Sequence, residues 1–117
     1  MLKIRKEQWD VLVKSEQDKF ENWVHDHVCA FFRGAYNAAG EAQLREMIHY
    51  GIERAGSYGI TSKSDVCKYI DLMVMLGRDF DTDERLPWAG EILQKKKHPS
   101  RRIKALEEAA AAQLRRP

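Results

Sequence analysis

The stretch with the clearest chemical potential is GRDFDTDERLPWAGEIL, residues 77–93, which places three aspartates at alternate positions: Asp79, Asp81 and Asp83. Carboxylates with this spacing begin a calcium loop of the EF-hand type, which also needs Gly at its sixth position and Glu at its twelfth. Here those positions hold Glu84 and Gly90. The sequence therefore favours a structural turn, in which the aspartates accept backbone N–H bonds and face the start of the following helix.

Side chains that could ligate a metal also recur at every fourth position of the first third of the chain: Glu21, His25 and Cys29. On a helix they share one side, and they could bind zinc together with His49 or Cys67. No paired C-x-x-C or H-x-x-x-H motif anchors such a site, so the sequence favours a solvated helix face. No nucleophile, phosphate-loop or dinucleotide motif occurs. We therefore predict neither an enzyme nor a bound cofactor or metal.

Asp71 is the single carboxylate within the apolar segment IDLMVML. A carboxylate in such surroundings is normally paired, and Lys68, Arg45, Arg54 or a histidine could be its partner. We predict a structural ion pair rather than a catalytic acid.

A basic segment follows at residues 94–104, QKKKHPSRRIK, which holds six Lys or Arg. Its candidate phosphate-binding residues are Lys95, Lys96, Lys97, Arg101 and Arg102. No aromatic residue lies between them, and the whole chain is nearly balanced, with 20 basic and 18 acidic residues. Nucleic-acid binding is therefore the alternative function, and a solvated hinge or a patch for an acidic protein is preferred.

The composition describes one globular domain. A chain of 117 residues that is 44% hydrophobic can bury a core of its own. Two cysteines do not make a disulfide framework, which indicates a reducing compartment. Neither a secretory signal nor a bilayer-spanning segment is visible, so we expect a cytoplasmic protein without a membrane partner.

Helical periodicity dominates the sequence, which predicts an all-α fold in a single domain, residues 1–117. The expected helices cover 6–32, 41–57, 63–76, 87–95 and 101–114, with 41–95 as the core. The polar run at 14–19 could divide the first helix in two, although a continuous helix is favoured. The third helix is apolar nearly all round, which predicts a buried central helix.

Two positions carry packing predictions. Gly51 lies on the buried side of the second helix, where a missing side chain lets another helix approach closely. Trp88, beside Pro87 at the start of the fourth helix, is predicted to fix the approach of that helix together with the acidic turn.

We expect the function to be binding of another protein, helix against helix. Two surfaces are candidates: the first helix around Trp9 and Leu12, and the narrow apolar seam of the last helix at Ile103, Leu106 and Leu114.

Residues 40–93 also resemble a group of small uncharacterised helical proteins encoded beside type VI secretion and related phage-tail-like effector loci. The resemblance rests on LRE-I-GIERA-YGI, DV-KYIDLM and G-DFDTD-PWA, and extends to FENWVHDHV-FF in the first helix. Where such relatives have Pro after DFDTD, this chain has Glu84. The resemblance implies a non-catalytic companion, an adaptor or chaperone of a secreted effector or spike component, or an immunity protein.

Overall fold

The computed structural model describes the backbone of residues 6–34, 37 and 40–115, and side chains from residue 14 onward within those ranges. Over these residues the fold is all-α, as predicted, and contains no strand. The helices are α1 (Lys6–Phe31), α2 (Glu41–Ser57), α3 (Lys63–Leu76), α4 (Pro87–Leu93) and α5 (Pro99–Arg115). No described helix combines the length and the apolar character needed to cross a bilayer.

Two compact units divide the chain, with their boundary between Arg45 and Glu46, inside α2. In the first unit, α1 continues without interruption through the exposed residues 14–19, so the single long helix is confirmed. It ends at Phe31, one residue earlier than expected. The predicted partner residues Trp9 and Leu12 belong to α1, but their side chains lie outside the described residues.

The second unit is organised around α3 and α5. Both α3 and α4 pack against α5. Tyr69 and Ile70 of α3 are fully buried, and Leu72 and Met73 are 1% exposed, which confirms the buried central helix. Its burial is not complete on every side, because Met75 is 44% exposed.

Local hydrogen bonds fix both ends of α3. Ser62 caps the helix by accepting a hydrogen bond from the Asp65 N–H at 3.3 Å. The Asp65 carboxylate accepts from the Ser100 hydroxyl at 2.8 Å, so it ties the start of α3 to the start of α5. At the other end Gly77 has φ +119°, a conformation that favours glycine, and donates its N–H to the Met73 carbonyl at 2.9 Å.

The last two helices differ from their predicted bounds. α4 stops at Leu93 rather than residue 95, and α5 begins at Pro99 rather than residue 101. Pro99 suits the first turn of a helix because its missing N–H would have no intrahelical acceptor there.

Gly51 allows α2 and α3 to approach closely within the second unit, as predicted. A Cβ atom at this position would lie 2.8 Å from Ile70 Cγ1 and 2.8 Å from Met73 Sδ. Both neighbours would have to move to admit a methyl group.

We expect Gly51→Ala to lower the free energy of unfolding by about 1 kcal/mol, because overpacking of about 1–3 kcal/mol exceeds the gain in helix propensity of about 1 kcal/mol. Gly56→Ala is the matched control, since nothing lies within 4 Å of its Cβ position on the same helix. Urea unfolding should show Gly56→Ala at least as stable as the parent. Equal stability of the two variants would mean that α2 and α3 are not closely packed at Gly51.

Candidate functional site

An aromatic ridge runs along α1, formed by Phe20, Trp23, His27 and Phe31. The rings follow one another along the helix, with centroid distances of 6.3, 6.0 and 4.9 Å between successive members. The Phe20–Trp23 and Trp23–His27 pairs are stacked, with interplanar angles of 20° and 16°. Trp23 is 55% exposed and Phe31 is 74% exposed. The ridge therefore presents ordered aromatic surface to solvent.

The apolar stripe of α1 is thus wider than its buried part. Val24 and Val28, one turn apart, are 0% exposed. Trp23 and His27 of the ridge directly precede Val24 and Val28 in the sequence. The ridge therefore lies next to the valine row on the surface of the same helix. One row of α1 is buried, while the other retains large exposed aromatic residues.

The three aspartates of the acidic turn engage three different sets of partners in the second unit. Asp79 accepts a hydrogen bond from the Tyr50 hydroxyl. Asp83 accepts from the Arg85 N–H at 2.9 Å and pairs with its guanidinium at 2.9 Å. Since these carboxylates serve separate neighbours, the geometry supports the structural interpretation of the turn over a calcium loop.

Asp81 is the buried member of the acidic turn, with a side chain that is 0% exposed. It forms an ion pair with Arg54, and its Oδ2 atom accepts from the Tyr58 hydroxyl at 2.7 Å. Burial, followed by the hydrogen bond to this carboxylate, raises the pKa of Tyr58 to about 12. Arg54 was a predicted partner of Asp71, whereas here it anchors the turn to α2.

Phe80, between two aspartates, is a core residue that the sequence analysis missed. It is fully buried, and its ring centroid lies 5.1 Å from that of Tyr69 on α3. In the sequence, its burial is indicated only by the fact that it is a single aromatic residue among turn residues. Gly90 of α4 lies close to the same turn, because a Cβ there would be 3.0 Å from the Asp81 carbonyl oxygen.

α4 buries only part of its surface. Ala89 and Leu93 are the buried members of this helix, and Trp88 is half-buried. A fixing role for Trp88 stays a prediction.

The basic segment requires a correction at Arg102, which is 8% exposed and does not belong to the solvent-facing patch. Its Nε donates to the Lys97 carbonyl at 3.1 Å, and its Nη1 donates to the Leu93 carbonyl at 2.7 Å. Its Nη2 donates to the Tyr58 carbonyl at 2.7 Å. The exposed predicted cations are Lys95, Lys96, Lys97 and Arg101.

The predicted seam of α5 also requires correction. Ile103 is 1% exposed and Leu106 is 0% exposed, so both belong to the core of the second unit and cannot meet a partner. Ala110, one turn after Leu106 on the same side of α5, is also buried, at 2% exposed. Leu114 alone of the predicted seam residues is open to a partner, at 59% exposed.

Comparison of the chain with protein-family models, with curated proteins and with solved structures finds no match. The comparisons therefore assign no function to the chain.

Cys67 is a buried thiol beside Asp71 on α3. Burial, followed by the charge of Asp71, raises the pKa of Cys67 from 9.0 to about 11. A thiol with such a pKa is almost wholly protonated near neutral pH and is a poor nucleophile. Asp71 itself is half-buried.

The Glu21, His25 and Cys29 side of α1 is less solvated than predicted. The His25 side chain is only 12% exposed, and Glu21 and Cys29 are half-buried. The solvated-face interpretation is therefore wrong at His25. His49, which the sequence analysis considered as a further ligand, has its Nε2 atom 3.2 Å from Glu53 Oε1 on the exposed side of α2.

Proposed function

We propose that this protein is a non-catalytic protein-binding module and that its partner docks on the aromatic ridge of α1. The observation that carries the proposal is the exposure of Trp23 and Phe31 on an ordered helix. Aromatic side chains bury about 150–250 Å² each when covered, so their exposure leaves a large hydrophobic gain to be realised on binding. Trp is also enriched among the residues that dominate interface energetics.

The shape of the ridge suits a helical or extended partner. Two stacked pairs and one tilted pair place the rings in a row, so less side-chain freedom is lost when a partner covers them. An apolar helix face docked along such a row is a common mode of protein recognition. The ridge replaces Ile103 and Leu106 as the proposed contact surface, while Leu114 remains a second candidate.

Neither Tyr58 nor Cys67 is suited to acid–base chemistry near neutral pH. The pKa values of Tyr58 and Cys67 are raised to about 12 and about 11. Both shifts move these groups away from neutrality, whereas acid–base catalysis needs a pKa near the working pH.

The resemblance of residues 40–93 to proteins encoded beside secretion loci supports a more specific proposal. The partner would be an effector or spike component of a bacterial secretion system, and this chain would be its cytoplasmic adaptor or chaperone, or an immunity-type partner. Nucleic-acid binding is the less favoured alternative, because Arg102 faces inward and no aromatic residue lies within residues 94–104.

A binding experiment with the proteins encoded beside this gene tests the proposal. Each neighbour is co-expressed with the untagged chain, and affinity is measured by calorimetry for any pair that co-purifies. We expect Trp23→Asp to weaken binding at least about 30-fold, as for an interface hot spot of about 2 kcal/mol. The circular dichroism of this variant should be unchanged, because Trp23 is 55% exposed.

Leu114→Asp is the matched control, since it places the same charge on an exposed apolar position of α5. Retained affinity in Leu114→Asp, together with weakened affinity in Trp23→Asp, assigns binding to the ridge. Loss of affinity in Leu114→Asp but not in Trp23→Asp would move the interface to α5 and contradict the proposal.

A further inference from the structure

The aromatic ridge of α1 has exposed charges along one flank. Lys19 directly precedes Phe20, and Asp26 lies one turn after Trp23, so both lie on the flank of the ridge that faces away from the valine row. Their side chains are 72% and 84% exposed. This flank therefore carries a cation beside the first part of the ridge and an anion two turns further along the helix.

Both charges have donor or acceptor capacity beyond their contacts within α1. Lys19 Nζ lies 3.4 Å from Glu16 Oε1, but an ammonium group has three donors and can bind a second carboxylate as well. Asp26 Oδ1 lies 3.5 Å from His25 Nδ1, and a carboxylate accepts several hydrogen bonds through its two oxygens. Lys19 and Asp26 can therefore both bind a neighbouring molecule.

The order of these charges makes the ridge complementary to itself in an antiparallel pair. When two copies of α1 run in opposite directions about a two-fold axis, positions before the axis on one helix face positions after it on the other. An axis midway between Lys19 and Asp26 places each Lys19 opposite Asp26 of the second copy, and symmetry forms this contact twice. A parallel pair would instead place each charge level with its own copy.

The same axis brings aromatic rings together. The midpoint between Phe20 and Trp23 lies within one residue, about 1.5 Å along the helix, of the midpoint between Lys19 and Asp26. Each Trp23 therefore faces Phe20 of the second copy, and such aromatic pairs are favourable. Charges that flank an apolar seam set the orientation of paired helices in the same way.

We propose that a second copy of this chain docks on the ridge, with the two α1 helices antiparallel. Trp23 packs on Phe20 of the second copy, and Lys19 pairs with its Asp26. The inference rests on the part of the proposed function that makes the ridge a protein-binding surface, and it names the second copy as the occupant when the other partner is absent. Because both occupants cover Trp23, they exclude each other.

The size of the ridge predicts a weak dimer. A stable interface buries about 800 Å² on each partner. Four rings on one helix, two of them already half-buried in their own chain, supply less than this. We therefore expect a dissociation constant in the micromolar range, which allows a partner with a larger interface to displace the second copy.

Sedimentation equilibrium of the untagged, reduced chain tests the dimer without any other protein. Lys19→Glu and Asp26→Lys should each weaken the dimer at least about 10-fold, because each change turns both symmetry-related pairs into repulsions. Lys104→Glu is the matched control at an exposed lysine of α5 and should leave the dissociation constant unchanged. Circular dichroism should show every variant folded, since the replaced side chains are exposed.

Exchange of the two charges tests the antiparallel orientation. The Lys19→Glu/Asp26→Lys double variant should dimerise within about threefold of the parent, because the pairs again have opposite signs. A mixture of the two single variants should associate more tightly than either variant alone for the same reason. In a parallel pair, the single variants would dimerise as well as the parent.

Three results would overturn the inference: a parent chain that stays monomeric up to millimolar concentration, a dimer that persists unchanged in Trp23→Asp, or a dimer insensitive to both charge reversals. Each of these results concerns the chain alone and leaves the proposed function to be judged by calorimetry with the neighbouring gene products. A charge-dependent dimer in a chain that binds none of those proteins would support docking of the second copy and contradict the proposed function.

Discussion

Replacing Arg102 with methionine is expected to lower the free energy of unfolding by about 3–5 kcal/mol. The guanidinium donates to three backbone carbonyls, those of Leu93, Lys97 and Tyr58. Methionine fills much of the same volume but donates nothing, so these buried or half-buried carbonyls lose a charged donor. The measurement is urea unfolding followed by circular dichroism, with the slope checked for two-state behaviour.

Arg101→Met is the control for this prediction, since it removes the same charge from the adjacent residue. Arg101 is exposed, and its replacement should change stability by less than about 0.5 kcal/mol. Similar losses for Arg101→Met and Arg102→Met would show that net charge, not the three carbonyl contacts, determines stability here. A small effect of Arg102→Met alone would show that the carbonyls find other donors.

The contrast between Arg101 and Arg102 shows why the sequence reveals the basic segment but not which of its residues are exposed and which are buried. Composition groups all six basic residues together, whereas helix phase distinguishes them. Arg102 precedes the buried Leu106 by one turn, so both occupy one side of α5. The sequence shows that spacing. It does not show that three backbone carbonyls lie over the same side of α5, where Arg102 can donate to them.

The helices themselves were predictable because their signals are local. Apolar spacing, Ser62 as a cap, Gly77 as a stop and Pro87 at a first turn all act within a few residues. The continuity of α1 through residues 14–19 also followed from its spacing on both sides.

Burial within an apolar stripe was less predictable, because it depends on residues distant in the sequence. Val24 and Trp23 are both apolar, yet one is 0% and the other 55% exposed. Leu106 was assigned to a partner surface because its seam is narrow. The sequence does not show that neighbouring helices cover this seam completely, which leaves Leu106 0% exposed. The juxtaposition of His25 with Glu41 likewise depends on how the chain returns after α1.

Replacing Asp81 with alanine is expected to lower the free energy of unfolding by about 3 kcal/mol. The change breaks the ion pair with Arg54 and removes the acceptor of the Tyr58 hydroxyl. Loss of one member of a buried pair typically costs about 3–5 kcal/mol. The lower value applies because Arg54 is 33% exposed and can regain water. Urea unfolding measures the effect, and near-ultraviolet circular dichroism reports whether the aromatic packing of Phe80 persists.

Asp83→Ala provides the comparison within the same turn, because it removes the same carboxylate two residues later. Its partner Arg85 is 87% exposed, so its guanidinium is readily solvated when the pair is broken, and the loss of stability should be much smaller than for Asp81→Ala. If the two variants lose equal stability, the turn is held mainly by local bonds rather than by Arg54. If Asp81→Ala is as stable as the parent, the Arg54–Asp81–Tyr58 contacts do not hold the turn against α2, and the approach of α4 must be fixed by Phe80 and Gly90 instead.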